Sequence, residues 1–230
     1  MKKMYEGVLG ETPFFISQLQ LEHLPAIEKL QHEVYETLED KSILQPLSTE
    51  EFEYMLEGNG MMIGAYVKDE LIAFRALLNP PIDEEHLGYD CGINEELFPK
   101  ILYQEISGVS PKYRGYGLQK TLANVIMNHV ELDTYDYVCA TVKPFNIASL
   151  KDKFAQNMHV AALKLKYGGK LRYVFLKDLR ENRTVKFGAS KSINMKDTEA
   201  QQALLKAGWI GVKMEKQGDQ WFVIYQQVVA

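Results

Sequence analysis

The residues best suited to chemistry lie in one segment, 105–119, with the sequence Glu-Ile-Ser-Gly-Val-Ser-Pro-Lys-Tyr-Arg-Gly-Tyr-Gly-Leu-Gln. The segment is typical of a strand, a tight loop containing Gly115 and Gly117, and the first turn of a helix. Glycine lets the backbone approach a ligand closely, and the unpaired N–H groups at a helix N-terminus attract phosphate. Arg114 adds a charge that pairs with anionic oxygens. The segment is therefore a candidate site for a phosphorylated ligand.

Two common phosphate-binding loops are excluded by the residues present. A P-loop requires Gly-x-x-x-x-Gly-Lys followed by Ser or Thr, which this chain lacks. A dinucleotide fingerprint requires a third glycine near the position where Lys120 stands. A glycine-containing turn without a ligand remains the alternative, and the loop alone does not decide between the two.

A second segment, 141–149, has the sequence Thr-Val-Lys-Pro-Phe-Asn-Ile-Ala-Ser. It is expected to end one strand and begin the next helix. Taken alone, Asn146 and Ser149 favour ordinary helix capping.

In this order, the two segments resemble the coenzyme A site of the GNAT superfamily of acyl-CoA-dependent N-acyltransferases. The signature of that family is Arg/Gln-x-x-Gly-x-Gly/Ala after its fourth strand. Arg114 and Gly117 match the signature, whereas Gln119 stands where Gly or Ala is usual. In element order the resemblance covers about residues 14–179, and its specific motifs are the two segments.

The resemblance implies that acetyl-CoA is the co-substrate. The residues that it assigns to cofactor binding are Val109, Arg114, Gly115, Tyr116, Gly117, Leu118, Gln119, Lys120, Asn146 and Ser149. It also implies a slot for the pantetheine arm between two strands that separate after a bulge, and we place that bulge at Gly108. We expect no metal, because the five histidines and two cysteines do not have the spacing of ligands.

Acyl transfer to an amine requires a base that removes a proton from the ammonium group. The resemblance makes Glu105 the candidate base, because it lies four residues before Val109, where some small-molecule acetyltransferases of the family place one. Partial burial in a strand would raise the pKa of this glutamate towards neutrality. The alternative is a Glu105 that points into solvent. The family often carries a tyrosine acid where this chain has Lys153, so Tyr167, Tyr113 and water remain open as proton donors.

We expect the acceptor site to be formed by the first two helices, by the C-terminal residues and by an acidic connection, residues 82–100. Asp83, Glu84, Glu85 and Asp90 would attract an ammonium group, and a solvated acidic surface is the alternative. We expect an acetyltransferase that acts on a primary amine of a small molecule. The competing hypothesis is a non-catalytic acyl-CoA-binding sensor or partner-binding module.

The composition and charge pattern do not indicate a nucleic-acid-binding protein or a membrane protein. The 230 residues include 26 Lys and Arg against 31 Asp and Glu, and no basic run indicates nucleic-acid binding. The most apolar window, 71–78, contains Arg75, so no membrane span is expected. Without a signal-peptide pattern, the expected location is the cytoplasm. Cys91 and Cys139 are interpreted as small buried apolar residues.

The order of strands and helices read from apolar periodicity predicts an α/β fold with a mixed sheet. The resemblance implies a GNAT-like, mostly antiparallel sheet flanked by helices. We predict a capping box at Ser48 and Glu51, a hairpin within 61–79, and a strand over 101–109. We expect residues 1–180 to form the acyltransferase domain. Residues 181–230 are expected to form a small β-α-β-β extension packed on it, with a first strand near Val185. Sheet extension through these residues is one candidate route to a homodimer.

Overall fold

The computed structural model describes residues 2–180 and 186–229. Its strands are β1 Lys3–Leu9, β2 Thr12–Gln18, β3 Gly60–Val67, β4 Glu70–Leu78, β5 Ile101–Val109, β6 Tyr137–Val142, β7 His159–Lys166, β8 Lys170–Asp178, β9 Lys186–Asn194, β10 Trp209–Gln217 and β11 Gln220–Val229. Its helices are α1 Leu24–Glu36, α2 Thr49–Tyr54, α3 Leu87–Asp90, α4 Leu118–Met127, α5 Ile147–Ala155 and α6 Thr198–Lys206. Among the described residues, no helix is long and apolar enough to cross a membrane.

The chain divides into two compact units. The first unit comprises residues 2–80 and 103–131, and the second comprises 81–102 and the described residues from 132 to 229. The prediction of a boundary at residue 180 remains a prediction.

The strands of the first unit follow the order β1-β2-β3-β4-β5, and each pairs antiparallel with its neighbour. Phe74 and Ala76 of β4 pack in one core with Phe52 of α2 and with α1. Side chains alternate along a strand, so Arg75 points to the opposite face. There its Nη1 donates a hydrogen bond to the backbone oxygen of Gln119 in α4, at 3.4 Å. Helices therefore cover both faces of this sheet.

Several local predictions for the first unit are confirmed. Ser48 and Glu51 form the capping box: the Ser48 N–H donates to Glu51 Oε2 at 2.7 Å, and the Glu51 N–H donates to Ser48 Oγ at 3.3 Å. The hairpin is β3–β4, and β5 has the predicted bounds. Strand β1, which pairs with β2, was not predicted from the sequence.

The prediction of a bulge at Gly108 is wrong. Gly108 pairs in register with Phe74, and the Phe74 ring fills the space that a side chain at Gly108 would need. The register of β4 and β5 shifts further back, where Glu105 and Ile106 together face the single residue Ala76. A bulge of this kind turns the side chains beyond it to the other face of the sheet.

The strands of the second unit follow the order β6-β8-β7-β10-β11-β9, again with antiparallel neighbours. Two buried tyrosines, Tyr173 of β8 and Tyr225 of β11, donate hydrogen bonds to Oε1 of Gln201 in α6, at 2.6 and 3.0 Å. The predicted order of strand, helix and two strands after residue 180 is present as β9-α6-β10-β11. Val185 lies outside the described residues, and β9 begins at Lys186.

Candidate active site

The two-glycine loop joins β5 to α4 within the first unit. Gly115 and Gly117 have φ of +88° and +75°, in the left-handed region that favours glycine. Gly117 is the N-cap of α4 and has no side chain to cap it, so the first N–H groups of the helix are left for a ligand. Leu118 anchors this end of the helix in the core, while Lys120 is exposed. Tyr116 is also exposed, at 54%. A helix N-terminus without a side-chain cap attracts anions.

Replacing Gly117 by alanine is expected to lower the free energy of unfolding by ~1 kcal/mol, because the left-handed region is costly for a residue with a Cβ. Apart from the neighbouring residues in the chain, no heavy atom of the described residues lies within 4 Å of the added Cβ, so the cost is conformational rather than steric. Thermal unfolding measures it, and calorimetry should show weaker binding of acetyl-CoA. Gly218→Ala is the matched control: Gly218 has φ of +58° in the β10–β11 turn. That variant should lose stability and keep its affinity; a loss of affinity in both would contradict the assignment.

Helix α1 supports the loop through two side chains one helical turn apart. Ser110, which is buried, donates its hydroxyl to Glu33 Oε1 at 2.9 Å. Arg114 donates from Nη2 to Thr37 Oγ1 at 3.0 Å. Ser110 and Arg114, at the two ends of segment 110–114, are thus both attached to α1.

Below the loop lies a buried polar network. Arg75 is 1% exposed and donates from Nη2 to Gln104 Oε1 at 2.6 Å. Gln119, the departure from the family signature, donates from Nε2 to Ser107 Oγ at 3.3 Å and accepts the Arg75 bond at its backbone oxygen. The Gln119 side chain therefore contacts β5 and ties the first turn of α4 to the sheet.

Glu105 lies on the bulge, on the same face of the sheet as α2. Its side chain is accessible to solvent, yet the protein that surrounds the carboxylate desolvates it, and Glu51 repels a negative charge there. These two effects, of which desolvation is the larger, raise the pKa of Glu105 to about 7. At neutral pH about half of the molecules then carry a carboxylate able to accept a proton.

The second predicted cofactor segment belongs to the second unit. Asn146 is the N-cap of α5, and its Oδ1 accepts a hydrogen bond from the Ser149 N–H at 3.3 Å. The preceding residue, Phe145, has φ of +67° and is 45% exposed. A bulky residue in this region is strained, and such strain is concentrated at functional sites. The helix-capping role of Asn146 is present, and its contact with a cofactor stays a prediction.

The acidic connection is not a free anionic surface. Asp90 pairs with Lys164 at 2.7 Å and with Lys166 at 3.1 Å, and Glu85 pairs with Lys166 at 2.9 Å. These contacts attach the connection to β7, so two of the four acids suggested for ammonium attraction are already neutralised. Among the tyrosines, the Tyr167 hydroxyl lies 3.2 Å from Thr141 Oγ1 of β6.

Comparison with solved structures gives the family of folds. The ribosomal-protein-S18-alanine N-acetyltransferase from Escherichia coli superposes with a TM-score of 0.55 at 14% identity, over 76% of this chain and 99% of that chain. The GNAT domain of S. lividans PAT gives 0.55 at 14% identity, over 76% and 96%. The chain has the GNAT fold. Salmonella typhimurium yncA, solved with its cofactor acetyl-CoA, gives 0.54 at 15% identity, over 74% and 96%. No family model and no curated protein sequence matches the chain.

The predicted fold class is therefore confirmed. The candidate site also contains polar residues that were not predicted from the sequence. Arg75 was noted only as an interruption of an apolar strand. A charged residue in such a strand is a usable signal, because it must be buried with partners. Glu33 and Thr37 gave no comparable signal, since acidic and hydroxyl residues are common on exposed helix surfaces.

Proposed function

We propose that this protein is an acyl-CoA-dependent N-acyltransferase that moves an acetyl group from acetyl-CoA to a primary amine. The observation that carries the proposal is that Glu105 and the two-glycine loop lie close together along one strand and its continuation. β5 bears Glu105, whose pKa is raised to about 7, and leads directly into the loop that ends at the uncapped N-terminus of α4. The proposed base and the proposed phosphate-binding loop are thus adjacent in the chain, on β5 and directly after it.

In this proposal, the pyrophosphate of acetyl-CoA lies on the first N–H groups of α4, with Arg114 pairing its oxygens. Arg75 and Gln104 hold that turn of α4 against the sheet. The Glu105 carboxylate accepts a proton from the ammonium group of the acceptor, directly or through a water, and the neutral amine attacks the thioester carbonyl. Asn146 and Ser149 are proposed to contact the pantetheine and adenine parts of the cofactor.

The acceptor is proposed to be a small-molecule amine. Two similar structures are enzymes named for a ribosomal-protein alanine, which makes a protein amino terminus the alternative acceptor. A panel of polyamines and aminoglycosides, set against peptides with free amino termini, separates the two classes. Faster thiol release with the peptides would replace the small-molecule assignment and leave the transferase assignment intact.

Arg114→Ala is expected to weaken acetyl-CoA binding by about tenfold to a hundredfold, the cost of removing a hydrogen bond to a charged group. Calorimetric titration of wild type and variant measures it. Thr37→Val is the matched control, since it removes the hydroxyl that holds the Arg114 side chain and leaves its charge, so the loss should be smaller. Equal affinity of wild type and Arg114→Ala would contradict the loop assignment.

A non-catalytic acyl-CoA sensor is the second candidate, because Lys153 stands where a tyrosine acid is usual and is buried against Asp152 at 3.2 Å. Binding without thiol release across both acceptor panels would establish the sensor. Thiol release that depends on an acceptor would exclude it.

A further inference from the structure

A cavity in the second unit lies away from the residues assigned to cofactor binding there. Its volume is about 680 Å³, within the range of sites that hold small organic ligands. Tyr137, at the start of β6, lines it, whereas Asn146 follows the other end of that strand. Helix α5 begins after Asn146, and Phe154 in its last turn lines the cavity. The cavity and Asn146 therefore lie at opposite ends of both β6 and α5.

The walls of the cavity are mainly apolar. They come from the turn after α3, from the end of α5 and from the strands β10 and β11. The apolar residues of the lining include Ile93, Leu97, Phe154, Met158, Ile210 and Val228. Val228 is 42% exposed and lies at the rim. Such walls offer water few hydrogen bonds. Binding of an apolar ligand that removes their surface from water is therefore favourable.

The charged groups around the cavity differ in whether they have partners. Arg180 donates from Nε to Asp178 Oδ1 at 2.9 Å and lies over the Tyr137 ring at 4.5 Å. His159 is held neutral, because burial lowers its pKa to about 4. Lys177 is half-buried, burial lowers its pKa, and among the described residues it has no ion-pair or hydrogen-bond partner. Within the described part of the chain, Lys177 is thus a cation without a partner, and it lines an apolar cavity.

We propose that this cavity is a second ligand site, which binds an amphipathic carboxylate with its carboxylate on Lys177 and its apolar part against Ile93, Leu97 and Ile210. An anion there supplies the partner that Lys177 lacks, and the apolar body covers the walls. The site is separate from the proposed transfer reaction and stands without it.

The test is calorimetric titration of the full chain with decanoate and with decanol, which has the same chain without the charge. Decanoate is expected to bind the wild type, and Lys177→Met should weaken it by about tenfold or more, as removal of a charged hydrogen-bond partner does. Lys177→Arg should retain most of the affinity, and decanol should bind both proteins alike. Val228→Trp, at the rim, should weaken both ligands. No decanoate binding to the wild type, or equal binding to Lys177→Met, overturns the proposal.

A second readout places the ligand in the cavity. Cys91 lines it, and the chain has only one other cysteine, Cys139. In Cys139→Ala, saturating decanoate should slow maleimide labelling of Cys91. An unchanged labelling rate at a concentration that saturates the calorimetric signal would place the ligand elsewhere and overturn the assignment.

Discussion

Replacing Glu105 by glutamine is expected to lower kcat by about 10²–10⁴-fold, the usual contribution of a positioned general base. Glutamine has the same shape and cannot accept the proton. In the wild type, kcat/KM for the amine should rise with pH through about 7, because this ratio reports the free enzyme, in which the pKa of Glu105 is about 7 and the carboxylate is the active form. In Glu105→Gln the residual rate should no longer show this step. Steady-state rates between pH 5 and 9, measured over a range of amine concentrations, give kcat and kcat/KM and so measure both effects.

A stability measurement separates loss of the base from misfolding. The pKa of Glu105 is raised above its ordinary value of 4.5, so the folded state binds this proton more tightly than the unfolded state. Wild-type stability therefore falls as pH rises from about 4.5 through 7. Glu105→Gln should be more stable than the wild type at pH 8 and similar at pH 4. A variant that is inactive and less stable at pH 8 would point to misfolding and remove the catalytic assignment.

Glu51→Gln is the matched control. Glutamine is accepted at this position of a capping box, so the variant keeps the start of α2 and removes the charge that raises the pKa of Glu105. The midpoint of the pH–rate curve should move to lower pH with little change in the plateau. An unmoved midpoint would mean that Glu105 is not the group that titrates.

Arg75→Met is expected to lower the free energy of unfolding by about 3 kcal/mol, because it removes a donor from the buried Gln104 Oε1 and from the part-buried backbone oxygen of Gln119. The same change frees the first turn of α4 from the sheet, so acetyl-CoA should bind more weakly in the fraction that remains folded. Urea unfolding and calorimetry measure the two effects.

The double variant Arg75→Met/Gln104→Leu tests whether the two side chains act together. Replacing both partners by apolar groups removes the stranded side-chain oxygen, so the double variant should be more stable than the sum of the two single losses predicts. Additive losses would show that the bond between them contributes little. If acetyl-CoA affinity is unchanged in the folded single variant, Arg75 has no positioning role.

The sequence predicted those features of the fold that depend on local chemistry. The start of α4 follows from a glycine N-cap before an apolar stripe, and the start of α2 follows from Ser48 and Glu51. The position of the bulge did not follow, because alternation along β5 is compatible with several registers and the choice depends on pairing with β4. Gly108 is a glycine for a different reason, which is the space taken by Phe74.

For the candidate site, the sequence predicted the loop and Glu105 as the base, and it missed the contacts that hold them. Gln119 is five residues beyond Arg114 in the chain, yet its partners Ser107 and Arg75 lie on two strands. Likewise, Cys91 and Cys139 have their Sγ atoms 3.8 Å apart although 48 residues separate them. Contacts of this kind depend on the pairing of distant segments and leave no periodic pattern in the sequence.

The division into two units also bears on the order of events during synthesis. The chain passes between the units at residues 80, 102 and 131, so the first unit is complete once residue 131 has been made. Domains fold as units, N-terminal first, while the ribosome is still adding residues. The first unit, with its loop and Glu105, can therefore close its core while residues 132–230 are still being translated, whereas the second unit must wait for strands at the end of the chain.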